Sequence, residues 1–483
     1  MKISVRNLFL IMLFSGIFLL STRPINDPDF WWHLRSGQLM EETQTIPRTD
    51  PFSWSAQGNP WITHEWLSEQ IIYQLYSVGS FQLLVITFSL IITVAYFFGY
   101  KRCPSDSMPY VAGFSLLLGA LASRSLWGVR PQMITLLFTS VFLYLFDSYL
   151  KNGNAKALIP IPIIMLLWVN LHAGYILGIA VELTYVAGLL LELVFVKFVR
   201  KENLDKDATG KLKLLLGVVA ASLLVMPINP AGLRIFTYPF QTLFDSAMQK
   251  YIQEWLSPDF HELIWLPLAL MILALIGTGM TGKHRTSITK VILTLGFGFA
   301  ALRSMRHVPL FAIVVIPILA EQISNLVKIR ASVQTPSRPL RLVNTILVIA
   351  VAVVMILALV KLPAQQQEAE AKNYPKAAAD WIAENQPEGK LFNSYNWGGY
   401  LIWRLYPEYP VYIDGRADLY GGTFLTNYMD IYSATSGWEE KLNQENIDFV
   451  FVEGDSRLAD ALKQSPKWEI AYEDTNSVIF TAK

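Results

Sequence analysis

Through residue 362 the chain is a succession of long apolar runs separated by polar segments; beyond it, apolar and polar positions alternate over short intervals. A helix that spans a bilayer needs roughly 20 mostly apolar residues. Eleven stretches meet that pattern: 7–22, 80–100, 108–124, 131–150, 156–172, 174–196, 212–228, 262–280, 287–303, 306–323 and 342–361. The first, Leu8 to Leu20, follows Lys2 and Arg6 as the core of a signal peptide would, but no small-x-small cleavage site comes after it. It reads as a retained first helix. The pattern predicts an α-helical polytopic membrane domain over 1–362 and a soluble α/β domain over 363–483, with Gln365–Glu370 as linker. In the tail it predicts helices at 375–385, 424–433, 437–445 and 456–464, and strands at Val411–Ile413, Asp448–Val452, 468–472 and 477–481.

Two polar connections interrupt the apolar runs. The segment 23–79 is long for a connector and rich in Trp, Pro, Asp and His; the spacing of Trp66, Ile71, Tyr73 and Leu75 predicts a helix over Trp61–Tyr76 lying in the membrane interface. The segment 229–261 carries Asn229-Pro230 and then Glu254-Trp255.

Orientation follows from Lys and Arg in short loops. With the N-terminus inside, the cytoplasmic loops hold Lys101 and Arg102; Lys151 and Lys156; Lys197, Arg200, Lys201, Lys206, Lys211 and Lys213; Lys283, Arg285 and Lys290; Lys328, Arg330, Arg338 and Arg341. Every such loop is basic. An odd number of spans then puts the C-terminal domain outside the plasma (inner) membrane.

Composition agrees with this division. The chain is 53% hydrophobic and only 16% charged, against about 25% charged in soluble domains. A net charge of +1 offers no general case for nucleic acid. The single cysteine, Cys103, excludes an internal disulfide and a cysteine zinc cluster.

The densest chemistry is Asn26-Asp27-Pro28-Asp29-Phe30-Trp31-Trp32-His33-Leu34-Arg35, just after the first helix. A carboxylate there can act as a general base toward a hydroxyl, or Asp27 and Asp29 can hold a divalent cation such as Mg or Mn; the aromatic residues alone also fit an interfacial belt. Arg124, Arg130, Arg234, Arg303, Arg306 and His307 lie on the outer side, against the positive-inside trend. A single arginine there fits headgroup snorkelling. Six positions suit a phosphate, which the guanidinium fork matches. Residues that suit a sugar or acceptor are His33, His64, Glu65, Trp397, Tyr400, Asp414 and Arg416; the same Gly-rich tail segments, Tyr395–Tyr400 and Asp414–Gly422, also read as tight turns. His172 fits a bonded core histidine, and Glu182 is the one acid placed well inside a span.

Together these features resemble the GT-C membrane glycosyltransferases. Asp27-Pro28-Asp29-Phe30 is similar to the Asp-Pro-x-Phe opening of the first loop in oligosaccharyltransferase catalytic subunits, which aligns Asp27 with that family's catalytic acid. Asn396-Trp397-Gly398-Gly399-Tyr400 resembles their Trp-Trp-Asp-Tyr-Gly motif without its acid. No second outer Asp-x-Asp is present, since Asp106 falls on the cytoplasmic side. The span count is nearer to protein O-mannosyltransferases and aminoarabinose transferases. The resemblance implies transfer of a sugar from a polyprenyl-phosphate donor to an acceptor (lipid, glycan or protein) at the outer face of the bilayer. The competing readings are a transporter or flippase of a lipid-linked sugar and a non-catalytic envelope scaffold. A transporter needs polar or broken segments at mid-membrane, where Glu182 stands nearly alone.

Overall fold

A computed structural model describes residues 4–104, 109–199, 201, 206–281, 286–327 and 338–483. Asp106, Arg200, Lys283, Arg285, Lys328 and Arg330 lie outside the described residues. The chain divides into two compact units. The first comprises Met1–Arg23, Val85–Ile235 and Gln253–Lys361; the second comprises Pro24–Leu84, Phe236–Ile252 and Leu362–Lys483.

Each of the eleven apolar stretches is helical. In hydrocarbon a backbone satisfies its own N–H and C=O groups only as a helix or closed barrel, so an uninterrupted apolar run has one local solution. Among the described residues, seven helices are long and apolar enough to cross a membrane. The other four stretches form the helices Val5–Ser21, Pro109–Ser123, Pro160–Leu171 and Ile288–Arg303, of 17, 15, 12 and 16 residues. This is an integral membrane protein.

The first unit is organised on Val308–Leu326, every residue of which from Val308 to Ala320 is buried. It contacts Pro109–Ser123, Ile288–Arg303, Leu266–Thr281 and Gln132–Asn152. Gly119 permits one of these approaches, since a Cβ there would stand 2.8 Å from Ile316 Cδ1. Arg338–Asn373 is the opposite case. Its most apolar stretch is almost wholly unburied by the protein, the signature of a helix whose apolar surface is covered by lipid.

The second unit contains a four-stranded sheet of β1 (Leu391–Asn393), β2 (Phe449–Glu453), β3 (Trp468–Glu473) and β4 (Ser477–Ala482), in the order β1-β2-β4-β3. β1 and β2 are parallel; the other pairs are antiparallel. Its core includes Phe392, Tyr412, Leu425, Tyr428, Val450, Leu458 and Phe480. Helices lie at Lys376–Asn385, Tyr395–Leu405, Ala417–Tyr432, Trp438–Gln444 and Arg457–Gln464.

Three expectations are corrected. Val411–Ile413 is not a strand: it makes one bridge, Ser53 to Val411, while the Tyr412 and Ile413 N–H groups donate to Asn393 Oδ1 at 2.8 and 3.4 Å. An amide side chain replaces the strand partner. The expected linker 365–370 is part of the helix Arg338–Asn373; Gln, Glu and Ala are good helix formers, and Gln366 bonds the Ile25 backbone through both ends of its amide. The expected interfacial helix starts at Trp66 and runs to Arg102, leaving helical geometry at Gly79 and Ser80. The first polar connection also holds an unforeseen helix, Phe30–Thr43. Its His33, Arg35 and Ser36 are buried along with its Phe30 and Leu34, so no apolar stripe at helical period marks it.

Two glycines set how Tyr395–Leu405 meets its neighbours. A Cβ on Gly398 would lie 2.6 Å from Asp414 Cα, and one on Gly399 would lie 2.5 Å from the Pro28 carbonyl oxygen. Overpacking of this kind costs about 1–3 kcal/mol. Gly399→Ala is therefore expected to lower the thermal unfolding temperature of the detergent-purified protein; an unchanged temperature would mean that the helix and the Pro28 turn have room to part.

Candidate functional site

Asp27 and Asp29 lie in a turn that the sequence builds locally. The Asp29 N–H donates to Asp27 Oδ1 at 2.9 Å, the self-bonding habit that favours Asp in turns. The Phe30 N–H donates to the Asp27 carbonyl at 3.2 Å, and Asp29 becomes the residue that precedes the helix Phe30–Thr43. Trp32 Nε1–H donates to Asp29 Oδ1 at 3.3 Å. Opposite, Gly415 lets the carboxylate come close, since a Cβ there would overlap Asp29 Oδ1. Both aspartates are half-buried.

Behind this turn is a line of paired titratable groups. The Trp32 and His33 rings lie 3.6 Å apart between centroids. His33 Nε2 is 3.5 Å from Glu65 Oε2, and His33 Nδ1 is 3.5 Å from Glu69 Oε1. The Ser36 hydroxyl donates to Glu69 at 2.6 Å. Glu65 Oε1 is 3.2 Å from His64 Nε2. His64 Nδ1 is 2.7 Å from the Tyr238 oxygen, and Tyr238 O–H donates to Asp418 Oδ2 at 2.6 Å. Because the Tyr238 proton goes to Asp418, His64 Nδ1–H is the donor to Tyr238. Burial pushes both imidazoles toward the neutral form, but carboxylates outweigh it. Glu69 and Glu65 raise His33, and Glu65 with Asp418 raises His64 to about 9.

A second buried cluster joins the first polar connection to the tail. Arg416 bonds Asp414 through Nε at 2.8 Å and Nη2 at 2.6 Å, and Asp50 through Nη1 at 2.7 Å. Its guanidinium lies over the Phe52 and Trp61 rings at 5.1 and 4.7 Å. Burial works against the Asp414 carboxylate, but Arg416 holds it below the usual range. Tyr400 is buried too, donating to Glu370 at 2.9 Å and ringed by Trp31 and Tyr374. Trp397 lies against Phe451. The seven residues expected to meet a sugar or acceptor thus turn out to be directed into the second unit: His33, Glu65, Trp397, Tyr400, Asp414 and Arg416 are buried and His64 is nearly so. The sequence marks their polarity but not its internal pairing.

In the first unit the cationic residues near helix ends separate into two groups. Arg124, Arg234 and Arg303 are exposed. Arg130, Arg306 and His307 line one cavity of about 60 Å³, with Gln132, Thr135, His172 and Glu254. Arg130 Nη1 forms an ion pair with Glu254 Oε1. Arg306 lies 4.5 Å over the Trp255 ring, and His307 meets the same ring edge-on. Burial raises Glu254, but Arg130 and Arg306 pull it below the ordinary carboxylate value, so it is ionised. His172 Nδ1 accepts from the Gly174 N–H at 3.0 Å. The Thr135 hydroxyl takes a bond from Trp168 Nε1–H at 2.9 Å and donates to the same His172 nitrogen at 2.6 Å. The His172 proton is therefore on Nε2. Glu254, Gln132 and Thr135 escaped the sequence reading; the signal for Glu254 was an acid beside Trp255 in a polar connection.

Among the described residues no three His, Cys, Asp or Glu side chains form a metal-holding group. Asp27 and Asp29 already accept N–H donors, so a divalent cation there would complete its shell from water and phosphate oxygens, as Mg²⁺ commonly does.

No described sequence family and no curated protein matches the chain. Solved structures do. The oligosaccharyltransferase AglB from Archaeoglobus fulgidus, in complex with an inhibitory peptide and a dolichol-phosphate, is similar at 12% identity and a TM-score of 0.54, over 99% of this chain and 74% of that one. The Archaeoglobus fulgidus oligosaccharyltransferase in complex with Zn and sulfate is similar at 14% identity and a TM-score of 0.51, over 98% and 73%. ArnT from Cupriavidus metallidurans bound to undecaprenyl phosphate gives 14% identity and a TM-score of 0.47, over 98% and 97%. The two oligosaccharyltransferase likenesses show that this chain shares their fold.

The raised histidines give the second unit a pH dependence of definite sign. A group whose folded value lies above its ordinary 6.5 stabilises fully below about pH 6.5, and that contribution is lost as pH rises through about 9. The unfolding temperature of the purified protein is expected to fall between about pH 7 and about pH 10, and to fall less in His64→Gln, where His33 alone remains. Equal slopes in the two proteins would show that His64 is not held as an imidazolium.

Proposed function

We propose that the protein is a membrane glycosyltransferase that takes a sugar from a polyprenyl-phosphate-linked donor and passes it to an acceptor at the extracytoplasmic face. The observation that carries this reading is the first-unit cavity lined by Arg130, Arg306 and His307, in a chain with the fold of an enzyme solved with dolichol-phosphate. Guanidinium forks and an imidazole in a small enclosure suit a phosphate head.

The chemistry is a direct displacement. In the second unit, Asp27 takes the proton from the acceptor hydroxyl as its oxygen attacks the anomeric carbon, or orients an amide acceptor. Asp29, seated by Trp32 and Gly415, orients the acceptor or contributes to a Mg or Mn site. The anomeric C–O bond breaks with its electron pair moving to the phosphate oxygen, and the configuration inverts. The first-unit cavity lined by Arg130, Arg306 and His307 suits the phosphate head of a donor lipid, and fixed charges of this kind usually give the largest electrostatic contribution where negative charge gathers on a leaving group. The exposed Arg124, Arg234 and Arg303 serve outer headgroups or the approach of the donor.

Transfer from radiolabelled polyprenyl-phosphate sugars by the purified protein tests this directly. Asp27→Asn keeps size and shape but removes the base, and loss of a general base typically costs about 10²–10⁴ in rate. The variant is expected to insert, fold and bind donor lipid but to turn over at that reduced rate. Near-normal transfer would remove Asp27 as the base.

The proposed orientation places the N-terminus in the cytoplasm and residues 363–483 outside. Alkaline phosphatase fused after Lys483 should be active, and a fusion near Lys206 inactive. The reverse pattern would overturn the orientation and the outer-face reaction with it.

A further inference from the structure

In the second unit, residues 24–29 precede the helix Phe30–Thr43 and belong to no helix or strand, so their backbone groups need partners from elsewhere. At Ile25 the partner is a side chain. The Ile25 N–H donates to Gln366 Oε1 at 2.7 Å, and Gln366 Nε2–H donates back to the Ile25 carbonyl at 3.2 Å. Both residues are buried. An amide is costly to bury unless it is hydrogen-bonded, and here both its ends close on one residue, as the next strand of a sheet would. Two bonds from one planar group fix the direction of the peptide planes on either side of Ile25 as well as their position.

Gln366 stands in the last turns of the helix Arg338–Asn373, and the same side of that helix meets the acidic turn again. Asn373 Nδ2–H donates to Asn26 Oδ1 at 3.2 Å. Tyr374, whose N–H continues the helical bonding to the Glu370 carbonyl at 3.0 Å, packs edge-on against Trp31 with ring centroids 5.3 Å apart and stacks on Tyr400 at 4.9 Å. Glu370 accepts the Tyr400 hydroxyl at 2.9 Å. Residues 366, 370, 373 and 374 recur at the three- and four-residue spacing that puts side chains on one side of a helix. The residues they hold directly, Ile25, Asn26 and Trp31, bracket Asp27. An unbranched apolar side chain at position 366 would fill similar space. It would not fix the direction of the Ile25 backbone, two residues before the proposed base.

We propose that Gln366 is a positioning residue for sugar transfer: through the Ile25 backbone it sets the direction in which the Asp27 carboxylate meets the acceptor hydroxyl. The inference rests on the reading of Asp27 as the general base. A base must lie within hydrogen-bond reach of the proton it takes. Pro28 restricts Asp27 to extended or turn geometry, and the Asp29 N–H closes the turn on the Asp27 side chain. The freedom left to this turn is that of the chain leading into it, and the Gln366 amide removes it. Misplacing a reacting group by about 1 Å through a distant change can cost about a hundredfold in rate. Loss of the amide therefore acts on turnover and leaves binding of the donor lipid as it is.

The test uses the full chain, purified in detergent, with radiolabelled polyprenyl-phosphate hexoses as donors and total membrane extract as acceptor; the donor that wild type uses best serves for every variant. Gln366→Met keeps the size of the side chain and removes both bonds to Ile25. It is expected to lower kcat by roughly tenfold to a hundredfold and to leave the KM for the donor within about twofold of wild type. Placed in an Asp27→Asn chain, the same change is expected to cost nothing further, because a residue that acts only through Asp27 has no effect once the base is gone. A folded Gln366→Met protein with normal kcat overturns the proposal. So does a loss that multiplies that of Asp27→Asn, which would mark a general structural role. If Gln366→Met does not fold, Asn373→Ala, at an exposed position, carries the test: a smaller fall in kcat is expected, again absent in the Asp27→Asn chain, and normal kcat overturns the proposal. A wild-type chain that uses no donor, or near-normal transfer by Asp27→Asn alone, defeats the proposed function itself and the inference with it.

Discussion

The second unit depends on a guanidinium that has no water. Arg416 is 1% exposed and Asp414 is fully buried, and an unpaired charge so placed would cost several kcal/mol after relaxation. The charge is tolerable because its bonds run to two carboxylates from distant parts of the chain, Asp414 in the tail and Asp50 in the first polar connection. Asp50 in turn accepts the Phe52 and Ser53 N–H groups at 3.1 Å each. The pairing therefore requires residues 50–53 to be folded against the tail before the charge can be buried. A long polar connection that would otherwise be solvated is thereby made part of a folded unit. Removing one partner of such a pair is commonly costly, by about 3–5 kcal/mol, because the other is left buried alone.

The same logic extends from Arg416 to the acidic motif. Gly415, beside Arg416, is where Asp29 comes closest to the tail. Trp32 bonds Asp29 on one side and lies against His33 on the other. His33 is fixed by Glu65 and Glu69, and Glu65 reaches Tyr238 and Asp418 through His64. Each group in this line supplies the counter-charge or hydrogen bond that the next one needs to be buried. A two-residue acidic motif in a mobile loop would sample many orientations. Here its backbone is closed by its own side chain and its flanks are held by buried pairs, the preorganisation that proximity effects in catalysis require.

Much of the fold was legible because membrane spanning imposes a length and a composition on each element. The eleven helices and three of the four strands expected in the tail follow from runs and alternation alone. Two of the elements that escaped share a cause: polar residues satisfied inside the protein. Phe30–Thr43 buries His33, Arg35 and Ser36 along with its aromatic residues, so its period is invisible. Val411–Ile413 has the composition of a strand, but the Asn393 amide takes the place of a neighbouring chain. The pairing inside the candidate site was hidden for the same reason. Asp27 and Asp29 stood out, whereas His64, Glu65, Asp414 and Arg416 looked like presented groups because a sequence shows that a residue is charged and not which residue answers it.

The arginines near helix ends show the same dependence on surroundings rather than on residue type. Arg124, Arg234 and Arg303 are exposed, as side chains that reach headgroups over a long apolar stem would be. Arg130 and Arg306 sit at comparable positions near helix ends but are enclosed, one against a carboxylate and the other over an indole. Enclosure changes what a guanidinium can do. Near bulk water a charge pair at contact gains about 1 kcal/mol, and the gain rises several-fold as the effective dielectric falls. The exposed group can hold a lipid head only loosely, while the enclosed pair interacts strongly enough with an anion to follow a change of charge on it. A displacement that gathers negative charge on a leaving phosphate gives such a pair something to recognise that was absent in the ground state, and only an interaction that strengthens in this way lowers the barrier.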